Sequence, residues 1–130
     1  MPLRLLIADD NEIVRLAVQL LLKDKHEWEI CGDAENGREA IAKVRCLSPD
    51  VVILDLSMPL MDGFEAANEI RQIAPSTKII FYTVHNVPLT ASEVGGDAFV
   101  SKSTPAEELI ATIERVTGQS QGIRARAKSA

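Results

Sequence analysis

Val51-Val52-Ile53-Leu54-Asp55 is the stretch that decides the fold of this chain. Four apolar residues lead directly to one carboxylate, and Pro49 and Pro59 lie on either side. A short apolar run of this kind is typical of a strand that is buried on both faces, as in a parallel sheet. Asp55 then lies at the carboxyl end of the strand, where open α/β sheets bind their ligands. A lone Asp at a strand end can also merely cap a loop, so other segments must decide between these interpretations.

The rest of the chain alternates predicted strands with predicted helices. Short apolar runs predict four further strands, which are Leu3 to Ala8, Trp28 to Ala34, Lys78 to Thr83 and Ala98 to Ser101. Helix start signals follow at Asn11, Asn36, Asp62 and Thr104. The signal at Thr104 resembles a capping box with Pro at the first helical position. Five alternations predict a parallel sheet with helices on both faces.

The helical patterns are regular at the first helix and weak before the fifth strand. Apolar residues recur at helical spacing in the first helix, at Ile13, Leu16, Ala17, Leu20 and Leu21, and we expect this face to pack on the sheet. In the segment from Val84 to Gly96, Pro88 can start a helix. Gly95-Gly96 would end that helix after about two turns.

The composition predicts a single acidic domain. The chain has 130 residues, of which 46% are hydrophobic, and this suits one compact core. A net charge of -5 argues against nucleic-acid binding by the body of the domain. The sequence has neither a bilayer-spanning stretch nor a signal-peptide cleavage region, so we expect a cytoplasmic protein without membrane contacts. We interpret Cys31 and Cys46 as buried thiols of a reducing compartment.

Helical periodicity stops at Gly118. The last residues, 119–130, are small, polar and basic, as in flexible linkers. We therefore expect a folded domain over residues 1–118, followed by a flexible basic tail or linker.

Polar side chains follow four of the predicted strands. Asp9-Asp10 end the first strand, Asp55 the third, Thr83 the fourth and Lys102 the fifth. Because parallel strands bring their carboxyl ends to one edge, these groups should lie together. Three carboxylates suit a hard cation such as magnesium, Mg²⁺, and Lys102 with Thr83 would complete a pocket for a tetrahedral anion. A carboxylate in such a pocket can act as a phosphoryl nucleophile.

These ordered motifs resemble those of the response-regulator receiver domains of two-component signalling. The resemblance extends from residue 3 to about 117 and includes Asp9-Asp10, Asp55 with Met58-Pro59 and Met61-Asp62-Gly63, Thr83 and Lys102. Leu5 to Asn11 is most similar to the subfamily that often precedes a helix-turn-helix output domain. The family resemblance implies a flavodoxin-like, doubly wound α/β fold whose five parallel strands have the order 2-1-3-4-5.

The resemblance also implies roles for the site residues. Asp55 would accept a phosphoryl group from a sensor histidine kinase or a phosphotransfer protein. Asp9, Asp10, Asp55 and the backbone carbonyl of Ser57 would hold Mg²⁺. Lys102 would pair with the phosphoryl oxygens. Beyond its own phosphorylation and dephosphorylation, no enzyme activity is expected.

Other residues match the positions that respond to the phosphate or tune its loss. Thr83 would swing toward the phosphoryl group, and Phe99 would move inward with it, unless Phe99 is a plain core residue. Ser57 and His85 match variable positions that affect attack by water, although His85 also fits an exposed loop. Val84 is larger than the usual family residue and would narrow access to the site.

One departure from the family pattern concerns the segment between Thr83 and Lys102. It is shorter than usual by about one helical turn, so the fourth helix should be short or irregular. Because that helix belongs to the usual output surface, phosphate chemistry could persist while partner recognition changes.

Several functions remain open at this level. The leading one is a phosphorylation-controlled switch, and the alternative is a module that signals by docking alone. A phosphatase is disfavoured because Ser57 occupies the position of its second acid, and a flavin site because Asp9-Asp10-Asn11 offers no phosphate loop. The output partner is unassigned and a homodimer is compatible with the sequence. The chain fits either a stand-alone regulator or the front of a DNA-binding transcription regulator.

Overall fold

The computed structural model describes residues 2–25, 27–84 and 90–118. It contains a five-stranded parallel sheet of order β2-β1-β3-β4-β5. The strands are β1 Leu3–Ala8, β2 Trp28–Ala34, β3 Val51–Leu54, β4 Lys78–Thr83 and β5 Ala98–Ser101. The predicted fold, strand order and strand positions are therefore confirmed.

Helices cover both faces of the sheet. In the described residues they are α1 Glu12–Leu22, α2 Gly37–Leu47, α3 Gly63–Ile73 and α4 Ala106–Thr117, with a 3-10 turn, η1, at Ser92–Val94. Residues of α2 and α3 share one core cluster, and residues of α1 and α4 share the other. In none of the described helices are length and apolar character sufficient for a membrane span.

Strand β3 is the centre of the molecule. Its four residues are at most 2% exposed, because β1 and β4 lie on its two sides and helices cover its two faces. Val52 and Leu54 point into the cluster with α2 and α3, whereas Val51 and Ile53 point into the other. The apolar run thus reflects burial on both faces, as predicted.

The predicted apolar face of α1 is wrong except at Leu21, which packs against the core cluster shared by α1 and α4. Ile13 is 71% exposed, Leu20 is 62% exposed, and Leu16 and Ala17 are also exposed. The buried residues of α1 are Val18 and Leu22. The helix is apolar on almost every side, so two different stripes satisfy helical spacing, and the contacts with the sheet select the one that the sequence did not indicate.

The helix starts agree with the sequence except at α4. Asp62 and Glu65 form the capping box of α3, and Asn36 caps α2 by accepting from the Glu39 N–H at 2.8 Å. The capping box predicted at Thr104 is wrong, because the Thr104 hydroxyl donates instead to the Ser101 carbonyl at 2.7 Å.

The two cysteines are free, as predicted, but they are not the buried thiols that the sequence suggested. Cys46 is exposed and Cys31 is half-buried. Cys46 lies in the last turn of α2, and Cys31 lies in β2, at the edge of the sheet.

The segment before β5 is short, as expected. Residues 90–96 contain only η1, and Gly95 ends it with a φ of 86°. Gly96 packs against the ring of Phe81 so closely that a Cβ there would collide with it. The predicted short or irregular fourth helix is confirmed for these residues, whereas Pro88 and the rest of 85–89 lie outside the described part.

Candidate functional site

Three carboxylates lie together at the carboxyl edge of the sheet. Asp9 follows β1 and Asp55 follows β3, and the two strands are neighbours, with the Asp55 N–H donating to the Ala8 carbonyl at 2.9 Å. Asp9 and Asp55 are buried and Asp10 is exposed. One carboxylate oxygen from each residue lies within 4.8 Å of the others. The cluster predicted from the strand ends is therefore present.

The Asp9 carboxylate is held on both oxygens. Its Oδ1 accepts from the Asn11 N–H at 2.9 Å, and its Oδ2 accepts from Lys102 Nζ at 2.6 Å. Asn11 also caps α1 by accepting from the Ile13 N–H at 2.8 Å. The loop between β1 and α1 thus fixes the first acid and starts the helix with the same few residues.

Lys102 brings a positive charge to the cluster from the end of β5. Its N–H donates to the Thr83 carbonyl at 2.9 Å, which ties it to β4. Its Nζ lies 2.6 Å from Asp9 and 3.6 Å from Asp55. The same ammonium lies 5.9 Å from the centre of the Tyr82 ring, within reach of a cation–π contact. The sequence reasoning had not singled out Tyr82.

Burial raises the pKa of the Asp55 carboxyl, and the neighbouring Asp9 charge raises it further. Lys102 and the backbone N–H groups of Ser57 and Leu56 lower the same pKa but do not cancel the effect of burial. An acid in these surroundings favours any cation that compensates its charge. The ionised form of Asp55 would thus gain from a bound divalent ion.

The other predicted site residues lie around this cluster. Thr83 is buried at the end of β4, Val84 beside it is exposed, and Ser57 is exposed after β3. His85 lies outside the described residues. Phe99 is half-buried on β5, and its ring stacks on Phe81 with centroids 5.0 Å apart. Phe99 therefore packs against the core cluster on the α2 and α3 face of the sheet.

Arg15 contacts the site although the sequence reasoning had not identified it. Its Nη1 donates to the Asp9 carbonyl at 2.6 Å, and its Nε donates to Asp33 Oδ2 at 3.1 Å. It lies on α1, not at a strand end, so the strand-end rule could not find it. Its position one helical turn after the Asn11 cap was the only available signal.

The donor chemistry fits a hard divalent cation. All three clustered acids offer carboxylate oxygen, which is the ligand type that Mg²⁺ prefers. Lys102 Nζ lies 3.6 Å from Asp55 Oδ2, so a tetrahedral anion attached to that carboxylate would also meet an ammonium. The arrangement can hold a phosphoryl group next to a carboxylate nucleophile.

The fold and site define the class as an open α/β domain with an acidic site at the carboxyl edge of a flavodoxin-like sheet. The sequence profile of the response regulator receiver domain matches residues 5–114. The chain therefore belongs to the response regulator receiver domain family, as its motifs predicted.

Relatives and solved structures agree with this family. The chain is 30% identical over 118 residues to the response regulator protein VraR of Staphylococcus saprophyticus, covering 88% of this chain and 56% of VraR. It is 32% identical over 120 residues to VraR of Staphylococcus aureus, covering 90% and 57%. The chain thus spans little more than half the length of these relatives.

Two solved structures show the same fold at comparable identity. A DNA-binding response regulator of the LuxR family from Staphylococcus aureus is 37% identical with a TM-score of 0.80, over 87% of this chain and 97% of that one. Chemotaxis protein CheY4 of Vibrio cholerae is 31% identical with a TM-score of 0.80, over 89% and 99%. The likeness to a LuxR-family regulator agrees with the subfamily that the sequence resembles.

Proposed function

We propose that this domain is a phosphorylation switch in which Asp55 accepts a phosphoryl group from a histidine kinase or a phosphotransfer protein. One observation carries the proposal: Lys102 Nζ lies between Asp9 and Asp55, within 2.6 and 3.6 Å, in a cluster of three carboxylates. A carboxylate nucleophile, a lysine ammonium and a pair of further acids suit phosphoryl transfer better than they suit a phosphatase or a flavin site.

In the proposed reaction, an Asp55 carboxylate oxygen bonds to phosphorus while the bond from phosphorus to the donor histidine nitrogen breaks. Lys102 compensates charge on the phosphoryl oxygens, and the N–H groups of Ser57 and Leu56 orient the Asp55 carboxylate. Asp9, Asp10, Asp55 and the Ser57 carbonyl would hold Mg²⁺. When bound, that ion would neutralise the crowded carboxylates and the transferring phosphate.

The proposed switch connects the phosphoryl group on Asp55 to β4 and to β5, the edge strand that follows η1. Thr83 would move toward the phosphoryl group, and Phe99, which pairs with Phe81 across β4 and β5, would shift with it. Ser57, Val84 and His85 would tune the attack of water on the acyl phosphate. The short segment before β5 supports a readout surface different from that of regulators with a full fourth helix.

The surface for the phosphodonor protein would include exposed apolar residues at this edge. Ile13 on α1, Leu60 in the loop after β3 and Val84 after β4 are each at least 70% exposed. They lie on the segments that follow β1, β3 and β4, and α1 adds the exposed Leu16 and Leu20. Exposed apolar patches with polar neighbours are typical of protein interaction sites.

The proposal includes the boundaries and context that the sequence predicts. Residues 1–118 would form the receiver, and 119–130 a basic tail or linker. The domain would act in the cytoplasm, and its output partner would be a protein or a second copy of the domain. The DNA-binding regulator among the similar structures supports a role as the receiver portion of a transcription regulator.

Intact-protein mass after brief exposure to acetyl phosphate tests the phosphoacceptor role. We expect the native chain to gain one phosphoryl group only when Mg²⁺ is present, and Asp55→Asn to gain none. Asp62→Asn is the matched control, because Asp62 is exposed at the start of α3. No gain by the native chain would refute the proposal and leave a domain that signals by docking alone.

A further inference from the structure

Arg15 connects three parts of the structure that meet beside the acidic cluster. Its side chain is only 12% exposed and reaches from α1 to the carbonyl of Asp9 at 2.6 Å. Its Nε donates to Asp33 Oδ2 at 3.1 Å. Asp33 lies in β2 opposite Ile7 of β1. A single guanidinium thus joins the helix, the end of β1 and the edge strand.

The Asp9 carbonyl belongs to the peptide group that joins Asp9 to Asp10. Because a peptide group is planar and rigid, a hydrogen bond to this oxygen also orients the backbone N–H and Cα of Asp10. The Asp10 side chain is exposed, so packing does little to hold it. The hydrogen bond from Arg15 is thus placed where it can fix the direction in which Asp10 enters the cluster.

The guanidinium is itself held in place. Asp33 Oδ2 also accepts from Gln19 Nε2 at 3.4 Å, one helical turn after Arg15, and Lys43 of α2 donates to the Asp33 carbonyl. Arginine can serve two acceptors in different directions because its donors form a fixed planar fork, whereas lysine carries a point charge. The arrangement depends on the geometry of the side chain as well as its charge.

We infer that Arg15 is a positioning residue for a divalent cation, acting through the Asp9–Asp10 peptide group and held by Asp33. This inference rests on the proposed function, because it assigns the acid pair to Mg²⁺. Hydrogen bonds behind metal ligands commonly change metal affinity by about 10- to 100-fold. Arg15 would do so from α1, without touching the ion.

The positive charge of Arg15 and its hydrogen bond to the Asp9 carbonyl predict opposite changes in Mg²⁺ affinity when the side chain is removed. Removing a positive charge near a cation site strengthens cation binding by simple Coulomb attraction. Removing the hydrogen bond that orients Asp10 weakens cation binding. The sign of the change in Mg²⁺ affinity therefore distinguishes the two effects.

The experiment is calorimetric titration of the full chain with MgCl₂, at a temperature where each variant is folded by circular dichroism. We expect Arg15→Met and Arg15→Lys each to weaken binding about tenfold. Asp33→Asn should weaken binding less, because it leaves the bond to the Asp9 carbonyl. Arg38→Met is the control for charge, since Arg38 is exposed at the start of α2, and it should bind Mg²⁺ as tightly as the native chain or more tightly.

Two results would overturn the inference while leaving the proposed function intact. One is native or tighter affinity in Arg15→Met. The other is native affinity in Arg15→Lys with loss in Arg15→Met, which would show that one ammonium donor suffices and that the planar fork held by Asp33 has no role. A native chain that binds no Mg²⁺ would refute both the inference and the magnesium site. Asp33→Asn keeps the test informative if an Arg15 variant fails to fold. It replaces the half-buried carboxylate that pairs with Arg15 by an amide of the same shape.

Discussion

Lys102 Nζ lies closer to Asp9 than to Asp55, at 2.6 Å from one carboxylate and 3.6 Å from the other. The ammonium is thus held mainly by an acid of the proposed metal site, not by the proposed phosphoacceptor. A phosphoryl group on Asp55 would have to draw Lys102 away from Asp9. Lys102 therefore has separate consequences for cation binding and for phosphorylation.

Lys102→Met should change these two properties in opposite directions. Phosphorylation by acetyl phosphate should slow about 10²-fold, because a donor to the developing negative charge is lost. Mg²⁺ binding should become tighter, because a competing positive charge has been removed. A time course of intact mass measures the first property and calorimetric titration the second.

Lys78→Met is the matched control for Lys102→Met. Lys78 begins β4, at the opposite edge of the sheet from the acids, so its loss should leave both properties unchanged. An unchanged phosphorylation rate in Lys102→Met would show that the ammonium does not act on the phosphoryl group.

Asp55→Asn should stabilise the domain at neutral pH. Burial and the Asp9 charge raise the pKa of Asp55 in the folded state, so the folded protein holds this proton more tightly than the unfolded chain. The stabilising effect of that proton is complete below the unfolded pKa and is lost as pH rises through the folded pKa. Above that pH, ionised Asp55 destabilises the native protein and a neutral amide does not.

The measurement is Tm at pH 7.5 and pH 5 without Mg²⁺. One unit of pKa difference corresponds to about 1.4 kcal/mol, and about 1 kcal/mol shifts the Tm of a domain of this size by roughly 4 °C. The advantage of Asp55→Asn should be larger at pH 7.5 than at pH 5. Adding Mg²⁺ should reduce it, because the ion stabilises the native carboxylates. A lower Tm for Asp55→Asn than for the native chain at pH 7.5 would contradict a raised pKa of Asp55 in the folded protein.

The strands and the acid cluster could be predicted because they depend on local patterns. Apolar runs such as Val51 to Leu54 require burial on both faces, and the parallel arrangement then brings Asp9, Asp55 and Lys102 to one edge. Each inference uses residues adjacent in sequence and one rule about sheet topology. The structure bears out the fold and the proximity of these side chains.

The features that could not be predicted depend on long-range packing or on competition between nearby hydrogen-bond partners. The apolar pattern of α1 allows more than one buried face, and only contact with the sheet selects Val18 and Leu22. Thr104 had a hydroxyl suited to capping, but the nearby Ser101 carbonyl uses it instead. Arg15 reaches Asp33 across 18 positions of sequence, and no local pattern announces such a bond.

Leu20 and Leu22 provide a matched test of the orientation of α1. Leu22→Ala should destabilise the domain by about 2 to 5 kcal/mol, because its side chain is 1% exposed and would leave a cavity. Leu20→Ala should change stability by less than about 0.5 kcal/mol, since its side chain is mostly in solvent. Urea unfolding measures both. Equal losses would mean that the face predicted from the sequence is buried after all.

Arg71 should hold the short segment before β5 against α3. Its Nε and Nη2 donate to the Gly95 carbonyl at 3.2 and 3.1 Å, and Nη2 also donates to Asp97 Oδ2 at 2.8 Å. The same Asp97 oxygen accepts from the Ile79 N–H at 2.8 Å. Arg71 therefore joins the end of α3 to the residues between η1 and β5, and indirectly to the start of β4.

Arg71→Met should cost about 1 to 2 kcal/mol of stability, because the lost bonds are partly exposed and each is worth about 1 kcal/mol or less. Hydrogen exchange should accelerate at the amides of Val94, Gly95 and Gly96. Labelling of Asp55 by acetyl phosphate should be unchanged, because Gly95 and Asp97 lie before β5 whereas Lys102 lies after it. Arg45→Met, which removes an exposed arginine from the last turn of α2, should alter neither exchange nor labelling. Native exchange rates in Arg71→Met would mean that the packing of Gly96 on Phe81 holds this segment without the arginine.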